Sequence, residues 1–188
     1  KPTTPIFFPW LKGTSQGLKQ YGWNFSTFVT SEKPDAAALK RMRTVKGIIA
    51  TDNLTEEWIH TLRSLNIPTV IMGAIDVPPE GIPVFSYDYG KMIEMLAEKL
   101  LEQGARNFAL FPGGRDYVPA KQMYHALSHF LAKKGAAFSE NSVCYSNPKG
   151  NAIKDTGEFL AAHPDIDACL VESEAFIPMM ASLYESSL

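Results

Sequence analysis

Polar residues gather where the apolar runs of the sequence end. Thr51, Asp52 and Asn53 follow one run, and Gly73 follows a second. Pro112, Gly113, Gly114, Arg115, Asp116 and Tyr117 follow a third, and Glu172, Ser173 and Glu174 a fourth. In open α/β sheets, ligands bind beyond the carboxyl ends of the strands. Carboxylates that accept from hydroxyls, one guanidinium and one phenol suit a neutral polar molecule such as a sugar. They suit a multiply charged phosphate less well. The same residue types also serve as ordinary solvated loops. Phe7, Phe8 and Trp10 add an aromatic cluster near the start, which reads either as core packing or as a stacking platform.

Other chemistries find little support. Gly113-Gly114 fits neither the GxGxxG nor the GxxxxGK[ST] phosphate loop. His125 and His129 lie four apart, but no third ligand stands at a telling distance and HExxH is absent. Ser15, Ser64 and Ser86 lack the GxSxG context of an activated serine. Cys169 sits in an apolar run and reads as core packing, and Cys144 sits in an expected strand at 142–145. No carboxylate pair has the setting of a general acid and base. The expectation is therefore a protein that is not an enzyme and uses no cofactor and no metal.

Two alternating segment types must position these residues. Short apolar runs at 25–29, 47–50, 69–72, 84–86, 108–111 and 168–171 read as buried parallel strands. Helical patterns lie between them at 9–21, 35–42, 56–65, 90–103, 120–134, 152–162 and 174–186. Thr55 stands where an N-cap belongs, with Glu56 and Glu57 at the positive end of the helix dipole. Pro119 suits a first turn, and Gly104 and Gly135 suit helix ends. Such alternation predicts an α/β fold of parallel βαβ units, with helices on both sheet faces. A turn-rich stretch at 76–81 is followed by a fresh strand–helix series, which gives two expected lobes, 1–86 and 87–188.

Composition agrees. The 188 residues are 45% hydrophobic and 20% charged, as in a globular protein with a real core. A net charge of −2, from 18 Lys+Arg against 20 Asp+Glu, gives no electrostatic footprint for nucleic acid or an acidic membrane. Two cysteines are too few for a disulfide scaffold. No run approaches the roughly 18 apolar residues that a spanning helix needs. The first five residues, Lys1 to Pro5, lack the apolar core of a signal peptide, so a cytoplasmic location is expected.

Five stretches, taken in order, resemble the effector-binding domain of LacI/GalR-family transcription regulators. They are Phe7-Phe8-Pro9-Trp10-Leu11-Lys12-Gly13 with Tyr21-Gly22-Trp23; Val45-Lys46-Gly47-Ile48-Ile49-Ala50; and Ile67-Pro68-Thr69-Val70 with Val84 through Gly90. Leu100 through Gly113 and Asp165-Ile166-Asp167-Ala168-Cys169-Leu170 complete the series. The resemblance runs along nearly the whole chain. It implies a fold of periplasmic-binding-protein type I kind: two doubly wound parallel-sheet lobes, here expected to be incomplete at both ends.

It also implies a function. A sugar or related metabolite would bind between the lobes, and hinge closure near residues 85–88 would control DNA binding by a helix-turn-helix headpiece that lies outside this sequence. The partners implied are the small-molecule effector, DNA through that headpiece, and a second copy in a homodimer. By position, the contacts carried over are Phe7, Phe8, Thr51, Gly73 and Ser173. The strand-end argument adds Asp52, Arg115, Asp116, Tyr117 and Glu174. The sequence departs from the family pattern where an Arg commonly grips the ligand. That position falls on Met123, the following Gly-aromatic pair on Ala126 and Leu127, and the His before it on Ala105. Arg115 and Lys121 are the neighbouring cations. The alternative is a periplasmic solute-binding protein of a transporter, which shares the fold.

Overall fold

A computed structural model describes residues 7–31, 33–51, 54–147, 150–172, 179–181 and 183–184. The chain divides into two compact units, residues 1–50 with 54–70, and residues 51–53 with 71–188.

The first unit carries helices α1 (Phe7–Gln20), α2 (Ala36–Met42) and α3 (Glu56–Ser64), with most of strand β1 (Ile48–Thr51). Asp35 caps α2 by accepting from the Ala38 N–H at 2.7 Å. Thr55 caps α3 by accepting from the Trp58 N–H at 3.3 Å, as its sequence position predicts. Ala38, Met42, Ile48, Trp58 and Leu62 are buried. The expected strand at 25–29 is not formed: residues 23–31 are irregular, and Val29 is exposed. This stretch is anchored instead by a side chain, because the Trp58 indole N–H donates to the Ser31 carbonyl at 3.0 Å. An apolar run becomes a strand only where a ladder partner is at hand.

Strands β2 (Thr69–Met72) and β3 (Val84–Phe85) follow, in a three-stranded sheet ordered β1-β2-β3. β2 and β3 run parallel, with Ile71 opposite Val84 and Met72 opposite Phe85.

The second unit holds the larger core. Helix α4 (Tyr89–Glu102) leads to β4 (Phe108–Phe111), then α5 (Val118–Lys133), a 3₁₀ turn at Glu140–Ser142, α6 (Ala152–Ala162) and β5 (Ala168–Val171). β4 and β5 pair in parallel, from Phe108 opposite Ala168 to Phe111 opposite Val171. On the other edge of β4, Leu110 bridges Val143, also in parallel. β4 is thus the central strand, and all four of its residues are buried. That is why its sequence is apolar throughout instead of alternating. The expected strand at 142–145 is reduced to this bridge, because the 3₁₀ turn takes its first residue.

Ile93, Ala97, Leu110, Met123, Leu127 and Leu131 belong to one buried cluster, in which α4 and α5 pack together over the strands. Gly90 lies at the contact of these helices, where a Cβ would sit 3.5 Å from the Ala126 Cβ, an ordinary packing distance. Ala109, Phe111 and Met179 form a second cluster, with Phe159 edge-on to Phe111 at 5.4 Å. Apart from residues 179–181 and 183–184, the helix expected at 174–186 lies outside the described residues.

Candidate functional site

Parallel pairing sends the chain out of β4, β5 and the Val143 bridge at one common end. At that end the Glu172 N–H donates to the Phe111 carbonyl at 2.8 Å, and the Ser146 N–H donates to the Gly113 carbonyl at 2.9 Å. These bonds carry the parallel register one step past the strands. They bring the 112–117 loop, Glu172 and the 143–146 segment side by side.

Gly113 has φ +86°, a conformation that any residue with a Cβ adopts at a cost. It is also a point of convergence. A Cβ placed on it would lie 3.7 Å from Tyr117 Cδ1 and 3.9 Å from Glu172 Oε2. Tyr117 precedes α5, and its N–H closes a turn onto the Gly114 carbonyl at 3.1 Å. Its hydroxyl shares a hydrogen bond with Tyr89, the first residue of α4. Asp88 fixes that helix start by accepting from the Lys91 N–H at 2.8 Å. Tyr87 meets the Tyr89 ring edge-on at 6.0 Å. Burial raises the Tyr89 phenol above its ordinary pKa, and the Glu172 carboxylate and Tyr87 raise it further. The Tyr89 phenol therefore stays neutral at neutral pH.

Of the sequence-derived site residues, the structure brings Tyr117 into this cluster. Arg115 and Asp116 stand on the same loop with exposed side chains. The Arg115 guanidinium is bonded to Glu140 and lies 4.2 Å from the centroid of the Tyr145 ring. Thr51 and Gly73 end β1 and β2 of the other sheet, where the Gly73 N–H donates to the Phe85 carbonyl at 2.9 Å. Phe7 and Phe8 open α1, and their side chains lie outside what is described. Asp52, Ser173 and Glu174 lie outside the described residues. Met123, where the resemblance puts a ligand-gripping Arg, is buried in the core with Leu127 and Leu131. Lys121 stands 3.9 Å from Asp76.

Two members of the cluster lie outside the expected contacts: Glu172, a strand-end residue left out of them, and Tyr89. Glu172 directly follows β5, as the strand-end rule expects, and Tyr89 stands a few residues beyond β3. Applying that rule to β3 as well as to the other strands finds Tyr89.

The two cysteines of the second unit stay protonated at neutral pH. Burial, with Asp155 nearby, pushes the Cys144 thiol up to about 11, and burial also raises Cys169. Neither supplies a thiolate nucleophile at neutral pH. Among the described residues no group of His, Cys, Asp and Glu could hold a metal ion, and no helix is long and apolar enough to cross a membrane. A shallow cavity at the opposite end of the second unit is lined by Leu101, Arg106 and Lys134 among others. Its cations serve the fold: Arg106 donates to the Leu101 and Ala105 carbonyls, and Lys134 pairs with Glu98.

The family model of periplasmic binding proteins and the sugar-binding domain of the LacI family matches residues 1–182. The chain belongs to this family. Its members in this fold are ligand-binding domains and not enzymes. Solved structures share the fold at low identity. The transcriptional regulator CelR in complex with cellobiose is 20% identical, with a TM-score of 0.75 over 93% of this chain and 55% of that one. The regulator CcpA of Lactococcus lactis is 18% identical, with a TM-score of 0.75 over 96% of this chain and 69% of that one. A LacI-family regulatory protein from Chloroflexus aggregans is 15% identical, with a TM-score of 0.83 over 100% of this chain and 72% of that one. The chain thus spans 55% to 72% of the length of these three relatives. No curated protein matches it in sequence.

Proposed function

We propose that this chain is the effector-sensing domain of a LacI-type transcription regulator. In this reading a small polar metabolite, a sugar or a relative of one, binds at the carboxyl ends of the strands. The observation that carries the reading is the convergence of Tyr117 and Glu172 on Gly113, with Tyr89 hydrogen-bonded to Tyr117, at that end of a parallel sheet. Regulation, in preference to solute transport, is supported by the structural relatives, several of which are transcription regulators. The expected lobes, 1–86 and 87–188, would shift on binding and so control a linked DNA-binding headpiece in a homodimer. The proposed location is the cytoplasm. The remaining sequence-derived contacts, Phe7, Phe8, Thr51, Asp52, Gly73, Arg115, Asp116, Ser173 and Glu174, belong to the same proposal.

A thermal-shift screen of the chain against sugars, sugar phosphates, nucleobases and amino acids tests it. A ligand at a hundred times its dissociation constant adds about 2.7 kcal/mol to native stability. The expected result is a shift that Tyr117→Ala abolishes. A chain that melts cooperatively and responds to none of these classes overturns the proposal.

A further inference from the structure

Helix α4 turns two methionines outward. Ile93 and Ala97 of this helix belong to the core, at 3% and 0% exposure, whereas Met92, Met95 and Leu96 are 42%, 58% and 48% exposed. Three and four residues apart, these three side chains are neighbours on the helix surface. The other methionines are placed differently. Met42, Met123 and Met179 are buried, Met72 is half-buried, and the exposed Met180 stands far along the chain from α4. A thioether needs no deprotonation to react with a peroxide, so its exposure governs its rate. A thiol reacts as the thiolate. With its thiol pushed up to about 11, Cys144 holds about one thiolate in ten thousand at neutral pH, and Cys169 is raised as well. Both cysteines also pack against the cluster of Ala109, Phe111 and Met179. The two classes of oxidisable sulfur are thus separated, with α4 carrying the open thioethers and the sheet the shielded thiols.

We propose that Met92 and Met95 form a peroxide-modified site on α4, oxidised to sulfoxides ahead of both cysteines and of the buried methionines. In each step the sulfur lone pair attacks one oxygen of hydrogen peroxide. The O–O bond breaks as the S–O bond forms. The sulfur is oxidised by two electrons, and the departing hydroxide takes the proton left on the transferred oxygen, giving water. The product is a polar, chiral group in place of a flexible apolar one. The strip of Met92, Met95 and Leu96 is therefore apolar in the reduced chain and polar in the oxidised one. A methionine sulfoxide reductase reverses the change. The modification does not depend on the effector proposed above.

Hydrogen peroxide added to the folded 188-residue chain, with peptide mass spectrometry along the time course, tests this. The expected result is one oxygen gained at Met92 and at Met95 about tenfold faster, or more, than at Met42, Met123 and Met179. Cys144 and Cys169 should remain free for alkylation once the quenched sample is denatured. The same course in denaturant should bring all the methionines to a common rate, because unfolding removes the difference in exposure. A second readout follows the surface itself. Peroxide should shorten the retention of the unaltered chain on a hydrophobic-interaction column, and should shorten it less for the double variant Met92→Leu, Met95→Leu, whose strip stays apolar. If that variant folds poorly, the time course on the unaltered chain decides alone. Thiols consumed before Met92 and Met95 overturn the proposal. So do Met92 and Met95 that react no faster than Met123 in the folded chain, and so does an equal loss of retention in the double variant.

Discussion

The Arg115 guanidinium stacks on the Tyr145 ring, 4.2 Å from its centroid, and is bonded to Glu140 at the same time. Tyr145 also shares its hydroxyl with Glu140 at 3.5 Å. The three side chains tie the 112–117 loop to the segment that follows the 3₁₀ turn. On sequence grounds Arg115 reaches for the ligand; its contacts with Glu140 and Tyr145 equally suit a brace for the loop that carries Tyr117. Arg115→Ala separates the two roles. A bracing role predicts ligand affinity within about twofold of the unaltered chain and a stability loss of about 1 kcal/mol, the scale of an exposed ion pair with a stacked ring. Loss of binding at unchanged stability would return the residue to the ligand.

Met123 lies in the buried core of the second unit. A guanidinium placed among Leu110, Leu127 and Leu131 would be buried without a partner. Met123→Arg is therefore expected to cost about 3 kcal/mol or more, seen as a lowered denaturant midpoint. Met123→Leu keeps volume and apolarity and should cost less than about 1.5 kcal/mol.

Gly113→Ala tests the convergence point. The added methyl meets only ordinary contacts, at 3.7 Å from Tyr117 and 3.9 Å from Glu172, so backbone conformation at φ +86° sets the cost. That cost is about 1–2 kcal/mol. The methyl also fills the space over the glycine, so ligand binding should fall more than stability does, which calorimetry beside a melting curve would show.

The raised thiols make stability fall on the alkaline side. In the unfolded chain a cysteine titrates near its ordinary 9.0; in the native chain Cys144 titrates at about 11. Between those values the unfolded state has lost its proton and the native state has kept it. Stability is therefore full below about pH 9 and declines as pH rises toward 11. Cys144→Ser is expected to flatten part of that decline in denaturation curves taken across the interval. Alkylation of the native chain at pH 8 should be slow, and should become fast in denaturant.

Much of this fold is legible in the letters. Strands 69–72, 108–111 and 168–171 and helix 152–162 have the bounds that their patterns predict, because each pattern is strong and cleanly punctuated. Thr55 caps its helix as expected. What failed at 25–29 was pairing, since a strand is defined by a neighbour that a local pattern does not contain. For the proposed site, the sequence marks the loops and not the side-chain pairings within them. Tyr117 could be named from its place after β4, but the pairing of Arg115 depends on Glu140, 25 residues further along. The contact between Tyr89 and Tyr117 depends on two helices coming together.

Asp167 closes the start of β4. Its carboxylate accepts the Arg106 N–H at 3.0 Å and the Asn107 N–H at 2.9 Å, across 60 residues of chain. The partner strand of β4 follows directly after it. During synthesis, at about 5–20 residues per second, the hydrophobic run 108–111 therefore waits about 3–12 seconds before its β5 neighbour has even been made. For that time α4 and α5, which flank the run, are the local elements able to shield it. Slowed elongation after residue 111 should then lower the soluble yield of this chain, whereas the same delay after residue 171 should not.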